Sequence, residues 1–165
     1  MMSNDRLLAF VDCNIVIECL FAPMHPANAI AVLAANKHLD LVTCNLVIED
    51  IEAEIIDRAT QADDLGVIDV YAQFLKQIRL KVMPDPTSSL VKETLHKYLG
   101  IMRHRADIPV LASAIEIGPN LILSDNRKHF NDLVAERSGI PICSSEEFLA
   151  LLMSGSARER LGSKS

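Results

Sequence analysis

The chain has 165 residues, half of them hydrophobic, and a formal net charge of −6. This length suits one domain of ordinary size with a substantial core. Aromatic residues make up only 4% and Trp is absent, so the core must be built from aliphatic side chains. The acidic balance argues against a broad nucleic-acid-binding surface but is compatible with a local basic patch.

The four cysteines, Cys13, Cys19, Cys44 and Cys143, have no CxxC spacing and lie in or beside apolar segments. This pattern predicts reduced, buried thiols rather than disulfides or a zinc site, as expected in a reducing cytosol. We see no signal-peptide pattern and no apolar run of roughly 18 residues or more, the length that spans a membrane. The sequence therefore predicts a cytoplasmic protein without a membrane segment.

The apolar segments alternate between strand-like and helix-like patterns. The first, residues 7–12, is a continuous apolar run, which is typical of a strand buried on both faces of a parallel sheet. The alternation indicates a single α/β domain over 1–153 with a mostly parallel central sheet. In chain order we predict strands over 7–12, 39–44, 80–83, 121–123 and 140–143, helices over 27–38, 46–59, 63–78, 87–99, 108–117 and 144–153, and a flexible tail over 154–165.

The first apolar run carries two polar residues, Asp12 and Asn14, at the end of its predicted strand. An unpaired carboxylate in an apolar interior costs several kcal/mol even after relaxation. A cation, a cap on a following helix, or exposure at the carboxyl edge of the sheet would offset this cost. In open α/β sheets that edge is where ligands bind.

Four acids, Asp12, Glu49, Asp107 and Asp125, follow strands or precede helices in the predicted order. In a parallel sheet the strand ends and the next helix starts share one edge, so these carboxylates are expected to converge. Gathered carboxylates repel one another unless a cation intervenes. Oxygen ligands favour Mg²⁺, and no His lies at a zinc-like spacing. Such an ion would polarise a phosphodiester and activate a bound water.

Each acid also has a simpler explanation. Asp12 and Asp107 could each cap a helix, and Asp125–Asn126 alone is typical of a turn. Glu49 competes with three nearby acids on a solvated face, Asp50, Glu52 and Glu54. The joint placement of the four acids, rather than any one of them, favours the metal site.

The sequence resembles a PIN domain over about residues 7–150. Four blocks carry the resemblance, and the third is the most specific of them. They are residues 10–16 (FVDCNIV), 41–51 (LVTCNLVIEDI), 106–118 (ADIPVLASAIEIG) and 121–130 (LILSDNRKHF).

The resemblance implies a small three-layer α/β/α sandwich with Mg²⁺- or Mn²⁺-dependent ribonuclease activity. Many single-domain, VapC-like members are toxins of toxin–antitoxin pairs and form dimers, so an antitoxin and a homodimer are expected. Asp12, Glu49, Asp107 and Asp125 would be the metal-binding and catalytic acids, with Asn14 supporting the first.

Three positions depart from the family pattern, and they keep a second hypothesis open. Cys44 replaces a usual Ser, and Leu123 and Ser124 replace a usual Thr and Gly. The alternative is therefore a non-catalytic PIN-like module that binds RNA or protein. Phosphoryl transfer to an aspartate is a third class, but the run Asp12–Cys13–Asn14 lacks the second Asp of dehalogenase-like enzymes.

Basic residues flank two of the predicted acids. Arg103 and Arg105 precede Asp107, and Arg127 and Lys128 follow Asp125. They could contact substrate phosphates, although ordinary solvated charge is an equal alternative for each. The predicted substrate-binding set is Asn14, Arg103, Arg105, Ser124, Arg127 and Lys128, with His104 and His129 as candidate proton carriers.

Overall fold

The structure is a computed structural model that describes residues 6–162. Its centre is a five-stranded parallel sheet in the order β3-β2-β1-β4-β5. The predicted parallel sheet is therefore confirmed, and β1 lies at its centre. The strands are β1 (Leu7–Val11), β2 (Leu39–Cys44), β3 (Lys81–Met83), β4 (Leu121–Leu123) and β5 (Ile142–Cys143).

Helices cover both faces of the sheet and complete the three layers that were predicted. The helices α2, α8 and α9 contribute the buried side chains of one face, whereas α3, α5, α6 and α7 contribute those of the other. They are α1 (Cys13–Phe21), α2 (Ala27–Ala35), α3 (Asn45–Ala62), α4 (Gly66–Gln77), α5 (Ser88–Tyr98), α6 (Ile108–Ile117), α7 (Asp132–Ser138), α8 (Ser145–Met153) and α9 (Ala157–Leu161).

Side chains of β1 alternate between the two cores. Phe10 packs with one helical layer, and Ala9 and Val11 pack with the other. All three are fully buried. A strand covered on both faces needs apolar residues at every position, which explains the continuous apolar run in the sequence.

The prediction was incomplete at α1. The apolar run over residues 7–17 divides at Asp12, which is the N-cap of α1 and accepts a hydrogen bond from the Cys13 backbone N–H. Ile15, Val16 and Ile17 are buried, and only Asn14 and Glu18 mark a polar side of this helix, so its period is weak in the sequence. Helix α7, capped by Asn131, was also not predicted.

The tail predicted as flexible over 154–165 is instead helical over Ala157–Leu161. Ala157 and Leu161 are only 4% and 5% exposed and belong to the core beside α2 and α8. Asn120 ties this helix to β1, because its side chain accepts from the Leu8 N–H and donates to the Leu161 carbonyl. The predicted tail at 163–165 and the predicted domain start at 1–5 lie outside the described residues.

Across residues 6–162, no helix combines the length and the apolar character needed to cross a bilayer.

Candidate active site

Asp12 lies at the carboxyl end of the central strand and is only 8% exposed. Three donors fix its carboxylate. The Cys13 N–H donates to Oδ1 at 2.8 Å, while Asn14 Nδ2 and Ser124 Oγ donate to Oδ2 at 2.9 Å and 2.7 Å. The carboxylate is therefore both buried and held in one orientation.

Burial is the largest cause that raises the pKa of Asp12 above its usual value. The three hydrogen bonds oppose this shift, and the negative charge of Asp107 adds to it. Burial and the Asp12 charge also raise the pKa of the neighbouring Cys13 to about 12. Cys13 is consequently a neutral thiol at physiological pH and does not supply a nucleophile.

Asp107 precedes α6 but does not cap it, because its side chain makes no capping hydrogen bond. Its Oδ2 atom is buried and lies 2.7 Å from Nδ1 of His129, in an orientation that does not form a hydrogen bond. The simpler explanation of Asp107 as a helix cap is therefore not what the structure shows. Its carboxylate is instead close enough to Asp12 to affect the pKa of that group.

Of the two adjacent acids on α3, the structure brings Asp50 rather than Glu49 into electrostatic contact with Asp12. Burial, and then the Asp12 charge, raise the pKa of Asp50. Both residues are exposed, and neither carboxylate forms a hydrogen bond or ion pair with any residue in 6–162, so the charge of Asp12 is what distinguishes Asp50.

The helical phase explains this difference. The buried side of α3 is formed by Val47, Ile51 and Ile55, and each residue turns the helix by about 100°. Glu49 therefore lies opposite the buried side, whereas Asp50 lies at its margin. The i, i+4 spacing of the buried residues was the signal that could have identified Asp50 from the sequence.

Asp125 follows β4 and has a different set of partners. Its backbone N–H donates to Asn14 Oδ1 at 2.9 Å, which links it to the group that holds Asp12. Ser145, the first residue of α8, donates from its N–H to Oδ1 at 2.7 Å and from Oγ to both carboxylate oxygens at 2.9 Å and 2.8 Å. Nε2 of His25 lies 3.8 Å from Oδ2. Sequence reasoning did not identify Ser145 or His25 as neighbours of the site.

The four predicted phosphate-binding residues divide into two groups. Arg103, Arg105 and Lys128 are exposed and form no ion pair in the described part of the chain. Arg127 is instead bound within the fold, since its guanidinium contacts Asp132, Glu147 and the carbonyl oxygen of Phe130.

The acids meet in pairs around Asp12 rather than in one cluster. Among residues 6–162, no three His, Cys, Asp or Glu side chains lie close enough together to hold a metal ion. The chemistry of the donors nevertheless fits a hard divalent cation. Asp50 and Asp107 are each in electrostatic range of Asp12, and Asp107 Oδ2 is a buried acceptor without a hydrogen bond. The metal and catalytic roles of the four acids remain predictions.

Neither protein-family models nor curated proteins match this sequence, but solved structures share its fold. One is the crystal structure of VapBC2 from Rickettsia felis bound to a DNA fragment from their promoter, with a TM-score of 0.61 and 13% identity over 84% of this chain and 98% of that chain. Another is PAE2754 from Pyrobaculum aerophilum, with a TM-score of 0.58 and 15% identity over 90% of each chain. At these identities the likeness shows a common fold.

Proposed function

We propose that this chain, which has a VapC-like PIN fold, is a metal-dependent nuclease that hydrolyses RNA. The environment of Asp12 is the observation that carries the proposal. A buried carboxylate at the end of the central strand has two further carboxylates within electrostatic range. In the described part of the chain no Lys or Arg forms an ion pair with any of the three. Hydrogen bonds hold Asp12 and His129 lies beside Asp107, but carboxylates gathered without a Lys or Arg partner still favour binding of a cation.

Asp12 would bind Mg²⁺ or Mn²⁺ with Asp107 or Asp50 as a second carboxylate, and Asp125 is a further predicted ligand. Hydrogen bonds from Ser145 occupy only some of the acceptor sites on Asp125, because a carboxylate offers about four. When bound, the ion would polarise the phosphodiester and lower the pKa of a coordinated water.

The surrounding residues of the chain position these groups. Ser124 and Asn14 hold Asp12, and the exposed cations Arg103, Arg105 and Lys128 are available to bind substrate phosphates. Since phosphate contacts carry no sequence information by themselves, these cations would contribute affinity for RNA rather than choice of sequence.

A toxin role is the narrower form of this proposal. The shared fold with VapBC2 from Rickettsia felis, a structure that contains promoter DNA, supports a protein antitoxin as a partner. A homodimer and a cytoplasmic location belong to the same proposal. All four cysteines are free, as expected in a reducing compartment.

The test combines RNA cleavage with direct measurement of metal binding. The purified chain should cleave a labelled single-stranded RNA in Mn²⁺ or Mg²⁺, stop in EDTA, and recover when excess metal is added. Calorimetry should detect Mn²⁺ binding that is lost in Asp12→Asn. Cleavage that persists unchanged in EDTA, or in Asp12→Asn purified in parallel, would contradict the proposal. RNA binding without cleavage and without Mn²⁺ binding would instead support the non-catalytic module.

A further inference from the structure

We propose that His129 is a positioning residue, which holds the carboxylate of Asp107 in place while His104 and Asn126 hold the imidazole ring. The expected effect on metal affinity rests on the proposed function. The contact between His129 and Asp107 involves only residues of this chain and can be tested without metal.

The contact between Asp107 and His129 is specific in its atoms. Nδ1 of His129 lies 2.7 Å from Oδ2 of Asp107, and both side chains are about three-quarters buried. Because a carboxylate offers only acceptors, this short contact is attractive when Nδ1 carries a proton. Oδ2 is buried and has no hydrogen-bond donor from any other described residue.

Two other side chains determine where the imidazole lies. The ring of His104 stacks on that of His129, with centroids 4.1 Å apart and planes inclined by 29°. Nδ2 of Asn126 lies 2.9 Å from the same Nδ1 atom, and an Nδ1 that carries a proton requires the Asn126 amide to present its oxygen there instead. The ring therefore has a neighbour on one face and another along its edge.

The backbone on both sides of the contact is also fixed. The turn that carries His129 is closed by hydrogen bonds from the N–H groups of His129 and Phe130 to the Asn126 carbonyl, and Phe130 is buried in the core. On the other side, the Asp107 N–H donates to the His104 carbonyl in the turn that leads into α6. Two ordered segments thus meet through the imidazole–carboxylate contact and the stacked rings of His104 and His129.

The consequence concerns the freedom of Asp107. Its side chain makes no capping hydrogen bond to α6, so His129 provides the contact that restricts its rotation. A carboxylate that is already oriented loses less entropy when it binds a cation, and outer partners of this kind typically change metal affinity by about 10–100-fold. His129 therefore acts through Asp107 and need not touch RNA or metal.

Three substitutions separate the roles of Nδ1 and the ring. His129→Phe keeps a ring for His104 to stack on but removes Nδ1, and His129→Ala removes both. In His129→Asn the amide restores a donor near the Nδ1 position. His96→Ala, on the exposed side of α5, is the matched control.

The first measurement uses the metal-free protein labelled with ¹³C and ¹⁵N. Three-bond couplings should report a single χ1 rotamer for Asp107 in the wild type, His129→Asn and His96→Ala, and averaged rotamers in His129→Phe and His129→Ala. The same rotamer in all five proteins would overturn the inference, and this result does not depend on metal binding.

The second measurement is Mn²⁺ affinity by calorimetry. His129→Phe and His129→Ala should bind about 10–100-fold more weakly, while His129→Asn and His96→Ala stay within about threefold of the wild type. At saturating Mn²⁺ the KM for RNA should not change. Equal affinity in all variants would overturn the positioning role. If the wild type binds no Mn²⁺, the proposed function fails, and the rotamer measurement alone decides whether His129 positions Asp107.

Discussion

Two neighbouring strands, β1 and β4, are each followed by an aspartate, and the two carboxylates differ in their surroundings. Asp12 is only 8% exposed, and its burial and the Asp107 charge raise its pKa. Asp125 accepts hydrogen bonds from the backbone N–H and the hydroxyl of Ser145 at the start of α8 and lies near His25. Both carboxylates lie at a helix N-terminus, which favours a negative charge, and both accept hydrogen bonds. They differ because Asp12 has another carboxylate nearby, whereas Asp125 has an imidazole.

The comparison separates two uses of one sequence pattern. An apolar strand followed by Asp places a carboxylate at the edge of the sheet in both cases, but the next layer decides its electrostatic state. A carboxylate beside another acid gains more from a bound cation, whereas one beside an imidazole contributes more to stability.

Replacing each aspartate by asparagine should give the clearest contrast. We expect Asp12→Asn to reduce RNA cleavage by about 100-fold or more, because metal stabilisation of a transition state is worth several kcal/mol. Asp125→Asn should lose much less activity and show the greater loss of stability. Cleavage rates and urea unfolding of the two purified variants provide the measurement. Similar rates in both would remove the proposed difference between the strand ends.

The adjacent acids of α3 provide the next test, because each substitution removes one negative charge. Asp50→Asn should weaken Mn²⁺ binding about tenfold, which corresponds to about 1.4 kcal/mol. Glu49→Gln should change it by less than about twofold, since Glu49 lies opposite the buried side of the helix. Calorimetric titration with Mn²⁺ decides between them. A larger loss in Glu49→Gln would restore the assignment made from the sequence.

Replacing the serine partners of the two aspartates should change different properties, stability for Ser145 and the pH dependence of Mn²⁺ binding for Ser124. Ser145→Ala removes the hydroxyl that donates to Asp125 and leaves the backbone N–H in place. It should lower the unfolding free energy by about 1.5–3 kcal/mol. Ser124→Ala removes a hydrogen bond that lowers the pKa of Asp12, so Mn²⁺ binding should shift to higher pH. Urea unfolding and Mn²⁺ titrations at several pH values test the pair. An unchanged pH profile in Ser124→Ala would contradict the second expectation.

The smallest effect concerns the pH dependence of stability without metal. The pKa of Asp12 in the folded state is raised above its ordinary value. At pH values between the unfolded-state pKa and the folded-state pKa, the folded chain therefore binds more protons than the unfolded chain. Stability from this group therefore falls as pH rises through that window. The Tm of Asp12→Asn should increase relative to the wild type by a few degrees between about pH 4 and pH 7.5. If the Tm values of the wild type and Asp12→Asn change with pH in parallel, Asp12 is not the source of this pH dependence.

Local signals predicted most of the sheet and part of the site. The apolar runs identified β1, β2, β4 and β5, because a covered parallel strand has no polar face. The run over 80–83 also identified β3, although Lys81 and Val82 are exposed at the edge of the sheet. Asp12 and Asp107 were identified from their positions beside a strand end and a helix start, and the structure brings these two together electrostatically.

Contacts between distant segments could not be predicted in the same way. The partner of Asp125 is a serine 20 residues away, which in the sequence only marks the start of a helix. The run Glu49–Asp50 contains two equivalent carboxylates whose difference depends on the phase of α3. Helix α1 was missed because only Asn14 and Glu18 interrupt its apolar residues, which leaves the polar period that marks a helix weak.

Asn120 has a consequence for the ends of the chain. Its one side chain bridges the Leu8 N–H of the first strand and the Leu161 carbonyl of the last helix. A chain shortened after Met153 would leave that amide without its acceptor and uncover part of the core beside α2. Shortening the molecule at its far end would therefore loosen the very strand that leads to Asp12, although the two segments are more than a hundred residues apart.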